Sequence, residues 1–164
     1  HQGAHPLEDA GPGVPVSYRH ILACTDGSPR ARKAVAAAAK LAGICHANLT
    51  VLFVIPPYVL PAYGEAAQYV PGVTPHLYKQ RADALAKKVL APAARLARDI
   101  GLQCETLAVN AAEPWSGILH VARKSKCDLI VMASHGRRGV AQALLGSETQ
   151  RVLTHSRIPV LVVR

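Results

Sequence analysis

The stretch Asp128 to Arg164 reads DLIVMASHGRRGVAQALLGSETQRVLTHSRIPVLVVR. Its apolar run, Leu129–Ala133, is short enough for a buried strand rather than a helix. A small-residue, basic loop follows, holding Gly136, Arg137, Arg138 and Gly139. Gly146-Ser147 opens a helix, and Pro159 stops it ahead of a last strand, Val160–Val163. A strand, a glycine loop and a helix N-terminus in that order form a place to hold phosphate. First-turn amides have no helical partners of their own, and the helix dipole adds partial positive charge. Glycine lets an anion approach the loop amides closely, and Arg137 and Arg138 can pair bidentately with phosphate oxygens. The chain contains neither a Walker P-loop nor a Gly-x-Gly-x-x-Gly dinucleotide turn. The same residues also suit plainer roles: Ser147-x-x-Gln150 is a capping box, and Gly136 and Gly139 serve as ordinary turn residues. The flanking strands and the spacing favour the phosphate site.

Outward from this stretch the pattern repeats. Tyr18–Thr25 reads as a first strand, Asp26-Gly27 as a turn, and Ser28-Pro29 as a helix start with Ser at the N-cap and Pro at the first helical position. The helix should bury Ala34, Val35, Ala38, Leu41 and Ala42 and end at Gly43. Leu49–Ile55 is a second strand. His76–Ile100 is a helix that turns Leu85, Val89, Ala93, Leu96 and Ile100 inward, with a kink at Pro92. Gly101 ends it, and Leu102–Val109 is a third strand. A helix from Glu113-Pro114-Trp115 should face Trp115, Ile118, Leu119 and Ala122 inward, with Trp115 as a buried anchor. The last helix is Ser147–Ser156. Five strands alternating with four helices imply an open parallel α/β sheet covered on both faces. Asp26 falls at the carboxyl rim, where ligands bind such sheets; it also suits a plain turn.

The terminal stretch resembles the nucleotide motif of the universal stress protein family: Gly, two residues, Gly, nine residues, then Gly-Ser or Gly-Thr. Here the register falls on Ala133, Ser134-His135, Gly136, the nine residues Arg137–Leu145, and Gly146-Ser147, with Ala133 in place of the first glycine. The resemblance spans roughly Tyr18–Arg164. It implies strand order 3-2-1-4-5 in a Rossmann-like, adenine nucleotide alpha hydrolase-like fold. It further implies ATP, or AMP or another adenine nucleotide, with Mg or Mn bound through the phosphates. The residues it carries over to the ligand are Thr25, Asp26, Val54, Met132, Ala133, Gly136, Arg137, Gly146, Ser147 and Glu148. A homodimer joined along Val160–Val163 is also implied, which suits an apolar strand at a sheet edge. The alternative is a nucleotide-free dimeric interaction module, because part of the family lacks the glycine motif and does not bind ATP.

Composition narrows the remaining classes. Residues 1–16 carry no apolar periodicity and read as a disordered leader or expression remnant, leaving 17–164 as one domain. Half the residues are hydrophobic, yet there is one Phe and one Trp, so the core must be aliphatic. No apolar run reaches the ~18–20 residues of a membrane span. The formal charge of +9 and pI near 9.8 suit polyanionic partners, but no RNA-binding signature or aromatic interleaving points to nucleic acid. Four scattered cysteines without metal spacing fit a reducing cytoplasm. The Pro- and Tyr-rich segment 56–75 should hang over the same rim as the glycine loop. Ser134 and His135 do not form a hydrolytic triad with Asp26, since neighbours on an extended chain point apart and no Gly-x-Ser-x-Gly elbow is present. With no evident general base or magnesium cage, efficient turnover is not expected.

Overall fold

The computed structural model describes residues 17–55, 75–135 and 145–164. The leader 1–16, segment 56–74 and most of the glycine loop, 136–144, lie outside the described residues. The described elements are β1 (His20–Cys24), α1 (Pro29–Cys45), β2 (Asn48–Ile55), α2 (Pro75–Asp99), β3 (Cys104–Asn110), α3 (Pro114–Lys124), β4 (Leu129–Ala133), α4 (Ser147–His155) and β5 (Val160–Val163). They form one parallel sheet in the order β3-β2-β1-β4-β5, as the alternating pattern and the family resemblance predict.

Two apolar layers cover the sheet. Alternate residues of a strand face opposite sides, so Ile21, Ala23, Val51, Val131 and Ala133 pack beneath α1 and α2. Leu22, Cys24, Leu52, Ile130 and Met132 pack beneath α3 and α4. Helix α1 starts as expected: the Ser28 Oγ accepts the Ala31 amide at 3.1 Å, ahead of Pro29. Helix α2 runs through Pro92, which sits on the exposed side with Lys88, whose carbonyl it leaves without an amide.

The helix ends differ from expectation in an instructive way. Gly43 lies inside α1, and His46 ends it in the left-handed conformation, φ 53°. The Ala47 amide reaches the Ala42 carbonyl at 2.9 Å, and that of His46 the Gly43 carbonyl at 3.4 Å. The same six-residue turn closes α2 and α3. Leu102 bonds Ala97 at 2.8 Å around Gly101, φ 68°, and Cys127 bonds Ala122 at 2.9 Å around Lys126, φ 53°. All three are Schellman turns, delivering the chain from a helix to the next strand. Ile100, expected inward, is 50 % exposed because the chain has left the helix by then.

Candidate functional site

The order of strands reverses between β1 and β4: from β1 the chain winds out through β2 and β3, then returns to β4 and β5. In open α/β sheets the crevice at that reversal, at the carboxyl ends of the strands, is the place for a ligand. Ala23 pairs with Val131, so two residues further on Thr25 and Ala133 bring the two strands to the rim.

On the β1 side, side chains tie the turn together. The Thr25 amide donates to the Leu52 carbonyl at 2.9 Å, holding the strand end against β2. The Thr25 Oγ1 accepts the Gly27 amide at 3.1 Å, and Asp26 Oδ1 accepts the Ser28 amide at 2.9 Å. Gly27 takes φ 79° within this turn. Asp26 thus fills the turn role its sequence allowed, and at the same time its carboxylate stands at the rim.

On the β4 side, three bonds fasten the strand end to its neighbours. Ser134 donates its amide to the Val163 carbonyl at 2.8 Å and accepts the Gly146 amide at 2.7 Å. The Thr149 Oγ1 donates to the Ala133 carbonyl at 3.0 Å. Buried Thr149 was not singled out from sequence; a hydroxyl on the inward face of an amphipathic helix is the signal that could have found it. Together these bonds hold the first turn of α4 against the end of β4.

That first turn differs from the capping box read from sequence. Gly146, not Ser147, is the N-cap, and among the described residues no side-chain cap bonds the helix. Gln150 turns its amide to the Leu145 carbonyl instead, at 3.3 Å. Gly146 commits its own amide to Ser134 and Gln150 is the first to reach back, to Gly146, so the amides of Ser147, Glu148 and Thr149 are left without a helical partner among the described residues. The Glu148 carboxylate is used elsewhere: its Oε2 accepts the Trp115 amide at 2.8 Å, capping α3, whose own N-cap Glu113 makes no side-chain cap bond. A carboxylate at that position also complements the α3 dipole.

Trp115 is half-buried at the α3–α4 seam, packed against the apolar layer on that side as expected but not enclosed by it. Its ring stacks on His155 with centroids 4.6 Å apart, and its Nε1 donates to Glu113 Oε2 at 3.0 Å. Its indole N–H needs a polar partner, which the seam supplies and a closed apolar core would not. Glu113 also pairs with Arg151 at 2.7 Å.

The other expected ligand residues are distributed by strand alternation. Val54 and Met132 lie on the α3–α4 side. Ala133 turns its methyl into the opposite layer, beneath α1. Gly136 and Arg137 lie outside the described residues. At the end of β1, burial pushes the Cys24 thiol up to about 12, with a smaller contribution from Cys127, which disfavours the thiolate.

Ser134 and His135 depart from expectation. The strand ends at Ala133 and the chain bends at Ser134, so the alternation that sends neighbouring side chains apart no longer operates. His135 Nδ1 lies 3.2 Å from Ser134 Oγ, both residues being buried. His135 Nε2 is buried with no hydrogen-bond partner among the described residues.

Among the described residues no helix is long and apolar enough to cross a membrane, and no three His, Cys, Asp or Glu side chains gather as metal ligands. The profile of the Universal stress protein family matches residues 17–164. The universal stress protein YxiE of Bacillus subtilis is 33 % identical over 151 residues, covering 90 % of this chain and 99 % of that one. Among solved structures, MJ0577 of Methanocaldococcus jannaschii superposes with a TM-score of 0.74 at 27 % identity, covering 90 % of this chain and 96 % of the other. A universal stress protein in complex with cAMP superposes with a TM-score of 0.67 at 24 % identity, covering 91 % and 99 %. The chain belongs to the universal stress protein family.

Proposed function

We propose that this universal stress protein binds an adenine nucleotide, with ATP as the first candidate and AMP or another adenine nucleotide as the next. The observation that carries the reading is the N-terminus of α4, which has no side-chain cap among the described residues and is pinned against the end of β4 at the sheet's reversal point. Phosphates would meet the Ser147 and Glu148 amides and the glycine loop with Arg137, where the helix dipole favours anions. Ribose would meet Asp26, and adenine the end of β2 by Val54, with Thr25, Met132 and Ala133 contributing the strand ends around it. Mg or Mn would enter on the phosphates, which supply the oxygens that hard cations prefer. A universal stress protein solved with cAMP on this fold is consistent with that ligand class.

The protein then acts as a homodimeric switch rather than an efficient enzyme. Nucleotide shifts the dimer or the rim between two states only as far as it binds them unequally. Hydrolysis or self-phosphorylation, where it occurs, is slow, since the sequence supplies no evident general base or dedicated magnesium cage.

The test is retention of nucleotide by the purified, denatured protein, followed by calorimetry with ATP and magnesium. Gly146→Val should abolish binding while the fold survives: φ −69° at Gly146 accommodates valine, and its branched side chain would stand before the open amides. Undiminished affinity in that variant would refute the site. No binding by the unaltered protein at millimolar ATP would leave a nucleotide-free dimeric module.

A further inference from the structure

The two faces of the sheet differ in charge. Helices α1 and α2, which cover one face, hold ten of the chain's nineteen Lys and Arg residues but two of its ten Asp and Glu. Together they carry a net +8 of the formal +9. All ten cations are exposed, and among the described residues none of them forms an ion pair. On the opposite face α3 and α4 hold three cations and one acid, and there Arg151 pairs with Glu113 at 2.7 Å. Crowding like charges costs the folded state stability through self-repulsion, and solubility is served as well by charges of both signs spread over the surface.

Helical spacing sets the cations in lines. Lys33 and Lys40 of α1 lie seven residues apart and Ile44 four further on, along one outward stripe. Arg81, Lys88 and Arg95 repeat at seven along α2, with exposed Ala84 and Ala91 between them. Because α1 and α2 follow neighbouring parallel strands on one face, the two lines run the same way. Their carboxyl ends bring two aliphatic side chains to one edge: Ile44 is 77 % exposed, and Ile100, just past α2, 50 %. A single exposed aliphatic residue is ordinary; here a pair of them ends a basic face that lacks its counter-charge.

Charge and apolar tips together identify the partner's chemistry. A second copy would set +8 against +8. A nucleic-acid backbone would answer the cations but leave Ile44 and Ile100 idle. An anionic bilayer answers both, because its headgroups attract Lys and Arg while aliphatic tips enter the boundary of the acyl chains. We propose that the α1–α2 face docks on an anionic lipid surface, with Lys33, Lys40, Lys88 and Arg95 over the headgroups and Ile44 and Ile100 entering between them. Such attachment is peripheral, needs no spanning helix, and does not depend on the nucleotide reading above.

The test is co-sedimentation of the full chain with vesicles of mixed phosphatidylserine and phosphatidylcholine, pure phosphatidylcholine vesicles serving as the neutral comparison. Binding is expected to the anionic vesicles only, and should fall as salt rises. Lys88→Gln combined with Arg95→Gln should weaken it by about five-fold for each cation removed. Ile44→Ser should weaken it roughly ten-fold and leave any binding to duplex DNA or polyglutamate unchanged. These side chains are exposed, so the variants should melt as the unaltered protein does, and Ile100→Ser repeats the apolar test at a second position. No preference for the anionic vesicles, or vesicle binding indifferent to both serine variants, would overturn the proposal. Tighter binding to duplex DNA or polyglutamate than to the vesicles would overturn it as well, in favour of a partner matched by charge alone.

Discussion

Ala133 stands where the family motif begins with glycine, yet its methyl is buried in the apolar layer beneath α1. Its carbonyl bonds the hydroxyl of Thr149. Side chain and backbone therefore serve different neighbours. Replacing Ala133 by glycine should leave ATP affinity unchanged or modestly raised, as calorimetry would show. It should lower stability in denaturant by about 1 kcal/mol, through added backbone freedom and a lost buried methyl. A gain in affinity of about ten-fold or more would mean that the methyl crowds the ligand after all. Glu148 divides in the same way, with its amide at the open helix end and its carboxylate on the Trp115 amide of α3. The sequence motif names such positions; which half of the residue does what is a matter of three-dimensional neighbours.

At the scale of elements, the connections decide how closely the layers fit. A Cβ added to Gly117 of α3 would lie 2.8 Å from the Ala111 Cβ and 3.4 Å from Val54 Cγ1. The short contact is to a Cβ fixed directly to the backbone, so the helix itself would have to move away from Ala111 in the β3–α3 connection. Helix propensity favours alanine over glycine by about 1 kcal/mol, whereas overpacking a fitted interface costs about 1–3 kcal/mol. Valine forgoes part of the first and adds to the second. Gly117→Val should therefore destabilise by about 1–3 kcal/mol in urea unfolding, and an unchanged midpoint would show that α3 can shift freely. The Schellman turns give the opposite sign. Lys126 holds φ 53° without being glycine, a conformation that costs an ordinary residue roughly 1–2 kcal/mol. Lys126→Gly should raise stability by up to about 1 kcal/mol, because glycine's larger unfolded-state entropy offsets part of the relief. A lower melting temperature in that variant would count against the strain account. Sequence showed the glycine of the α2 turn and missed the other two, since His46 and Lys126 carry no local signal for the left-handed region.

For the whole molecule, the described sheet ends at β5, whose four aliphatic residues are incompletely covered, with Leu161 41 % exposed. An apolar edge strand is a template for pairing, and a second copy is the occupant our dimer proposal requires. Leu161→Lys should keep the fold and turn the dimer into monomer in sedimentation at micromolar concentration. Sedimentation of the unaltered protein as a monomer would remove the dimer from the proposal. The formal charge of +9 opposes association of like copies, so added salt should tighten the dimer by screening. By itself, the sequence determined the alternation of strands and helices and the two-sided burial of the sheet. Runs such as Leu129–Ala133 and stripes such as Ala34-Val35-Ala38 leave few other ways to bury so much aliphatic surface. It also singled out the stretch proposed here to hold phosphate, because glycine spacing before a helix start is a local property. Only the tertiary structure decided that Gly146 rather than Ser147 caps α4, that Glu148 caps α3, and that Ser134 and His135 meet instead of pointing apart. Each of these turns on a bend at the end of β4 or on a partner tens of residues away, and a hydrogen bond goes to whichever group the finished fold brings within reach.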